Sequence, residues 1–157
     1  MQTTIWVTAL ACALMAGIYL AFSSFVMSSL AVLPRVQGIA AMQSINRVIL
    51  SSSFMVLFFA STVASLGLGV WGVVRWGVPG SSYLVTGGLL YVLGMFVCTA
   101  AFNVPLNDGL DALDPTSTSA AEVWTTYLRD WTRYNHLRTV FSAAASVVFV
   151  AAAWVAR

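Results

Sequence analysis

The stretch that decides the fold is FMVLFFASTVASLGLGVWGVVRWGVPGSSYLVTGGLLYVLGMFVCTAAF, residues 54–102. It holds two apolar runs, 54–74 and 83–102. Each run has about the 20 residues that a helix needs to cross the roughly 30 Å hydrocarbon core of a bilayer. Only RWGVPGS (75–81) lies between them, and its Gly and Pro residues are typical of a tight turn. The stretch therefore predicts two antiparallel transmembrane helices.

The composition extends this interpretation to the whole chain. Of its 157 residues, 60% are hydrophobic and 8% are charged, whereas soluble domains carry about 25% charged residues. The net charge of +2 is too small to indicate nucleic-acid binding. We expect a single integral membrane domain over residues 1–157, with the lipid bilayer as its partner and no nucleic acid. The chain has no lysine and is rich in Ala and Val, which favours a multi-pass protein of a bacterial cytoplasmic membrane.

Two further apolar runs cover about residues 5–30 and 137–155. The first differs from a signal peptide, because MQTT has no basic residue and the run exceeds the roughly 7–15 residues of a signal-peptide core. We interpret it as a retained helix. The four runs predict an all-α bundle of four transmembrane helices.

The two long connections have helical character of their own. In residues 37–50, Met42, Ile45, Val48 and Ile49 share one side of a helix, and Gln43, Asn46 and Arg47 share another. This pattern predicts an amphipathic helix between the first and second spans.

The connection between the third and fourth spans carries start and stop signals. Pro105 is expected to end the third helix near Asn103. Ser119 and Glu122 have the spacing of a capping box, which predicts that a helix starts near Ala120. That helix would run outside the membrane over residues 120–136 and continue into the fourth span, which makes the fourth helix unusually long.

Four spans place both long connections on one side of the membrane. Polar and aromatic residues of these connections can therefore gather at one end of the bundle: Asn46, Arg47, Asn103, Asn107, Asp108, Trp131, Asn135, His136 and Arg138. Arginines occur at both ends of the predicted bundle, so the charge distribution leaves the orientation in the membrane open.

One face of the fourth helix is the strongest candidate for a binding surface. At 100° per residue it carries Trp124, Leu128, Trp131, Asn135, Arg138, Thr139 and Ser142, with His136 on its flank. Such a face suits a flat aromatic ligand; the alternative is an interfacial tryptophan belt with snorkelling arginines. Because polar groups near lipid are costly unless they are paired, Asn135 and Arg138 favour a functional site.

The remaining candidates each have a structural alternative. His136 has the only side chain whose ordinary pKa lies near neutrality, so it is the natural general base, unless its role is structural. Arg47 precedes every acid of the chain. If it faces the bundle, its partner is Asp108, Asp111 or a ligand; the alternative is an arginine at the lipid headgroups. Asn103 and Asn107 either cap a helix end at Pro105 or donate amide groups to a substrate oxygen. One histidine and two cysteines inside apolar runs do not predict a metal site, and a haem ligand is left open.

Four segments, in this order, resemble the anthrone oxygenase-like family of small four-helix membrane proteins: AFSSFVMSSL (21–30), GIAAMQSINRVIL (38–50), FNVPLNDGL (102–110) and WTRYNHLRTVFS (131–142). The resemblance extends from about Gly17 to Ala145. It implies oxidation of an anthrone to an anthraquinone by O2, with no evident metal or flavin, so no cofactor is expected.

The resemblance also suggests roles for residues. His136 would be the base, and Arg138, Asn103 and Asn107 would donate hydrogen bonds to the enolate. Further residues are expected to bind the substrate. Trp131 would stack against its rings, and Arg47 with Asn46 would close the site. Asn135 and Asp108 would lie beside it. The prediction is a cofactor-independent oxygenase of a lipophilic anthrone-like or phenolic polycyclic substrate. The alternative is a membrane protein that binds a quinone-like or other hydrophobic aromatic molecule without catalysis, or an accessory subunit; a homo-oligomer is left open.

Overall fold

A computed structural model describes residues 1–156. Its five helices are α1 (Gln2–Ala31), α2 (Arg35–Leu50), α3 (Ser53–Val74), α4 (Ser81–Asp111) and α5 (Ala120–Val155). All of these except α2 are long and apolar enough to cross a membrane. The prediction of an all-α protein with four spans is therefore confirmed.

The membrane-spanning core is built around α5, which packs against α1 and against α4, while α3 packs against α4. Its largest fully buried side chains include Met15, Tyr91, Met95 and Phe149. Long apolar helices bury these side chains against one another and leave their other faces apolar and exposed, as expected for contact with lipid.

The turn between α3 and α4 forms as the sequence predicts. Gly77 and Gly80 both have positive φ, at 92° and 90°, which glycine adopts without steric cost. The two helices then run close together: a Cβ placed on Gly88 would lie 2.9 Å from Gly69 Cα. The close packing extends along α4 to Tyr91, and beyond it the two helices separate.

The prediction that Pro105 ends the third helix near Asn103 is wrong. The helix continues to Asp111. Two π-helical segments, Val92–Val97 and Thr99–Asn103, come directly before the proline. Such local widening can accommodate a proline inside a membrane helix, because it changes the pattern of backbone hydrogen bonds that the proline would otherwise break.

The long helix α5 starts at Ala120, as predicted, but the capping box does not form. Ser119 has helical φ and ψ, −77° and −13°, and its side chain makes no capping hydrogen bond. An N-cap needs an extended backbone to turn its side-chain oxygen towards the first free N–H groups. Ser119 already lies inside a turn, closed by the hydrogen bond from Ala120 N to Ser117 O at 3.2 Å, and so has a helical conformation.

Helix α2 lies against the ends of α4 and α5, so both long connections are at the same end of the bundle. Gln43 is buried and donates to the backbone oxygens of Leu110 (2.8 Å) and Leu113 (2.9 Å). The predicted sides of this helix need one correction. Val48 is exposed and Gln43 is buried, because the carbonyl groups where α4 ends offer Gln43 two acceptors.

Candidate active site

A cavity of about 300 Å³ lies at this end of the bundle, and all five helices contribute to its wall. Most of the wall is apolar, with seven aromatic side chains: Tyr19, Phe22, Phe54, Phe58, Phe59, Phe96 and Trp131. Its other polar residues are Asn46, Thr99, Asn107 and Arg138. An apolar pocket with a few convergent polar groups is the usual form of a small-molecule site.

Of the residues that the structure describes, Arg138 is the only charged one that lines this wall. It is 5% exposed, and its guanidinium carbon lies 4.5 Å from the ring centre of Tyr19 and 5.0 Å from that of Trp131. It donates to Asn135 Oδ1 at 2.8 Å and to Thr99 Oγ1 at 3.4 Å. Its Nε atom is buried without a hydrogen-bond partner.

No carboxylate within residues 1–156 forms a salt bridge with this guanidinium. Asp111 pairs with Arg47, and Asp130 pairs with Arg129. The other acids are exposed: Asp108, Asp114 and Glu122. A buried cation without a counter-ion is costly unless something compensates it. The cavity therefore suits a ligand that carries, or develops, negative charge.

Asn135 holds Arg138 in position. It is fully buried, and its amide nitrogen donates to Tyr19 O and to Ser23 Oγ, each at 2.7 Å. Its amide oxygen accepts from Arg138. Asn135 does not line the cavity, so its predicted place against the substrate is corrected: it connects Arg138 to α1, beside the π-helical segment Phe22–Val26. Single π-helical turns are frequent at functional sites.

A group of hydrogen-bonded side chains, which we call the polar cap, closes the end of the cavity that faces the two long connections. It consists of Asn46, Asn107, Tyr127 and Trp131. Asn107 Oδ1 accepts from Tyr127 Oη and from Trp131 Nε1, both at 2.8 Å, and Asn46 donates to Tyr127 Oη at 3.5 Å. The structure thus brings together four residues predicted for the site: Asn46, Asn107, Trp131 and Arg138.

Other predicted site residues lie outside the cavity wall. Asn103 is fully buried and donates to Trp131 O at 3.3 Å, so it supports the wall from behind. Arg47 forms an exposed ion pair with Asp111 (2.7 Å), which confirms its partner but not a role in closing the site. Asp108 is also exposed and does not line the cavity.

His136 is exposed and is absent from the cavity wall. On a helix it is rotated by 200° from Arg138, two residues later, so a buried Arg138 directs His136 outward. The expectation that the two side chains share one site is therefore corrected. Among residues 1–156, no Asp, Glu or His lines the cavity, and no group of three or more His, Cys, Asp or Glu residues is placed to hold a metal ion.

Sequence reasoning missed Tyr127 of the polar cap and several residues of the wall. Tyr127 follows Trp124 by three residues and precedes Trp131 by four, a spacing that places all three on one helix face; their rings stack at 5.7 and 6.2 Å. Phe54 and Phe58 have the same helical spacing. Tyr19 and Thr99 gave no such signal, because each lies between apolar neighbours in a membrane-spanning run and no spacing distinguishes it from the other polar residues of its helix.

The fold and the cavity define a helical membrane protein with an aromatic site built around a buried cation. The family model for anthrone oxygenase matches residues 46–148. The chain therefore belongs to the anthrone oxygenase family. The matched range contains every cavity residue of α3, α4 and α5, and Asn46, Ile49 and Leu50 of α2. Comparison with curated proteins and with solved structures gives no match.

Proposed function

We propose that this protein is a cofactor-independent oxygenase that oxidises a lipophilic anthrone-like or phenolic polycyclic substrate with O2. The observation that carries the proposal is Arg138, a buried cation without a carboxylate partner in an aromatic cavity. Family membership supports an oxygenase-type activity, and the cavity supports the class of substrate. We place the reaction in the cytoplasmic membrane of a bacterium.

The proposed reaction starts from the acidic CH2 group of a tricyclic ketone. Loss of one proton gives an enolate, whose oxygen would face Arg138. The enolate carbon transfers one electron to O2, and the two radicals combine into a C–O bond to give a peroxide anion, which takes up a proton. The remaining hydrogen on that carbon then leaves as a proton while the O–O bond breaks. One oxygen atom becomes the new quinone carbonyl, and the other leaves as water.

Within residues 1–156, the cavity wall offers no carboxylate or imidazole to act as base. We therefore assign proton removal to water or hydroxide at the polar cap, and charge stabilisation to Arg138. A cation close to a developing anion lowers the pKa of the group that ionises. A preorganised charge of this kind acts strongly in a site from which bulk water is excluded. Trp131 and Tyr19, which flank the guanidinium, would hold the flat rings.

The test is O2 uptake by the purified protein in lipid nanodiscs with anthrone as substrate. Arg138→Gln is expected to lower kcat/KM by about 10²-fold or more, the usual effect of removing one such group. Arg133→Gln is the matched control, because Arg133 is an exposed arginine on the same helix, and it should keep the parent rate. Equal loss in both variants, or none in Arg138→Gln, contradicts the proposal.

A second candidate function is binding of a quinone-like or phenolic molecule without catalysis. The observation in its favour is the same lack of a side-chain base in the described cavity wall. The two candidates differ in one measurement. A binding protein would retain anthraquinone in nanodiscs and would not raise O2 uptake with anthrone above that of empty nanodiscs.

A further inference from the structure

The exposed residues of the cavity wall lie on one side, and that side is apolar. They are Leu50 (68% exposed), Phe59 (51%), Val104 (42%) and Ala100. They belong to the end of α2, to α3 and to α4. Among residues 1–156, the polar residues of the wall are half-buried (Asn46, Thr99 and Asn107) or buried (Tyr19, Trp131 and Arg138). We call the opening on this side the lateral mouth.

The packing of α3 against α4 explains where the mouth forms. Near their turn, glycines allow the two backbones to touch. Farther along, the ring of Phe96 lies 5.7 Å from that of Phe58 and 6.5 Å from that of Phe59. These rings occupy the space between the helices as they separate. Beyond Phe96, the next exposed wall residue of α4 is Ala100, which has a small side chain and lies within the π-helical segment Thr99–Asn103; Val104 follows one turn later.

The depth of the mouth places it among acyl chains. Helix α3 has 22 residues, which corresponds to a length of about 33 Å. Phe59 follows Ser53, the first residue of α3, by about 9 Å along the helix axis. A bilayer has a hydrocarbon core of roughly 30 Å, so the mouth opens into its outer third.

The side of the cavity that faces water is closed. The polar cap joins α2, α4 and α5 through the hydrogen bonds of Asn107 and Asn46. Outside the polar cap, Gln43 and the Arg47–Asp111 ion pair connect α2 to α4 and the connection after it. A ligand arriving from water would have to break these bonds, whereas a ligand arriving from lipid meets none.

We propose that the ligand of this cavity is a neutral polycyclic aromatic molecule that reaches Arg138 from the bilayer through the lateral mouth, between α3 and α4. The inference rests on the proposal that this cavity binds an aromatic substrate, and it does not require that the substrate be oxidised. The molecule ionises only after it has reached the guanidinium, because the mouth offers no polar partner to a charged group.

The first experiment narrows the mouth. The probe is β-hydroxyanthraquinone, which O2 does not oxidise, and its association with protein in nanodiscs is followed by stopped-flow quenching of tryptophan fluorescence. Ala100→Trp is expected to slow association and dissociation by about tenfold, because the helices must then move apart before the ligand can pass. Ala101→Trp is the matched control: Ala101 is the next residue, is exposed and lies outside the cavity wall. It should keep the parent rates.

Two results overturn the inference. Equal rates in Ala100→Trp and Ala101→Trp mean that the ligand takes another route. A weaker affinity with an unchanged association rate in Ala100→Trp means that Ala100 contacts the bound ligand and does not limit its entry. Normal binding kinetics without O2 uptake in the parent would leave this inference intact and overturn only the oxygenase proposal.

A second experiment uses only the parent protein, so its result does not depend on whether a variant folds. Anthraquinone β-sulfonate carries a permanent charge and stays in water. It is expected to bind at least about tenfold more slowly than β-hydroxyanthraquinone, since it must cross the apolar mouth as an ion. Comparable association rates for the two probes would show a route from water and would contradict passage through lipid.

Discussion

Arg138 and Asn135 lie one turn apart on α5, and the guanidinium donates to the amide oxygen of Asn135 at 2.8 Å. A carboxylate at the position of Asn135 would neutralise the arginine. The amide instead fixes the guanidinium by a hydrogen bond and leaves its positive charge available. The same amide is anchored to α1 through Tyr19 O and Ser23 Oγ, so the position of the charge depends on the packing of two spans.

Asn135→Asp should supply the missing counter-ion. We expect the affinity for the anion of β-hydroxyanthraquinone to fall by about tenfold or more, because an adjacent carboxylate cancels the attraction of Arg138. The measurement is an absorbance titration in nanodiscs. Anthraquinone, which cannot ionise, is the control ligand and should bind the variant as it binds the parent. A similar loss for both ligands would point to a damaged cavity and not to a neutralised charge.

Asn107→Leu should destabilise the polar cap. It leaves Tyr127 Oη and Trp131 Nε1 without their acceptor, at a cost of about 1–3 kcal/mol for each buried group. The free energy of unfolding in mixed micelles measures this cost. In Tyr127→Phe one of these donors is already absent, so adding Asn107→Leu should cost less than it does in the parent. Strictly additive costs would contradict the shared acceptor.

His136→Ala should leave O2 uptake unchanged, because the side chain is exposed and outside the cavity wall. The pH dependence of kcat/KM is the sharper measurement. A catalytic histidine would add an inflection to that profile, and the variant would lose it. We expect the parent and the variant to have the same pH profile. A large loss of activity with an intact fold would restore His136 as the base.

Gly88→Ala should weaken the packing of α3 against α4. Its Cβ would lie 2.9 Å from Gly69 Cα and 2.9 Å from Ser65 O, and such overpacking costs about 1–3 kcal/mol. Gly67→Ala is the matched control, since nothing lies within 4 Å of its Cβ. It should be neutral or slightly stabilising, because alanine favours a helix. Equal unfolding free energies for the two variants would contradict the close approach of the helices.

Most of the fold could be predicted from the sequence, because the composition of each span is enough to identify it. The apolar runs, the RWGVPGS turn and the start of α5 at Ala120 needed no information about distant contacts. The errors came from interactions between segments. Helix α4 passes through Pro105 because π-helical turns accommodate it, and Gln43 is buried because distant carbonyl groups accept its amide.

The site could be predicted only in part. The helical face of α5 correctly placed Trp131, Asn135 and Arg138 on the buried side. Rotation about the helix also placed His136 on the flank, and burial of Arg138 decided which way that flank points. The sequence could not distinguish a residue that lines the cavity from one that supports it, such as Asn103 or Asn135. That distinction depends on contacts between helices: Asn103 donates to Trp131 O of α5, and Asn135 donates to Tyr19 O of α1.

The most direct test of the central claim is the pKa of β-hydroxyanthraquinone bound in the cavity, read from its change of colour on ionisation. An uncompensated Arg138 beside the hydroxyl should lower that pKa by about 1–3 units relative to the probe in protein-free nanodiscs. Arg138→Gln should abolish the decrease, and Arg133→Gln should preserve it. A pKa in the parent that equals the protein-free value, or lies above it, would contradict a site built to stabilise an aromatic anion.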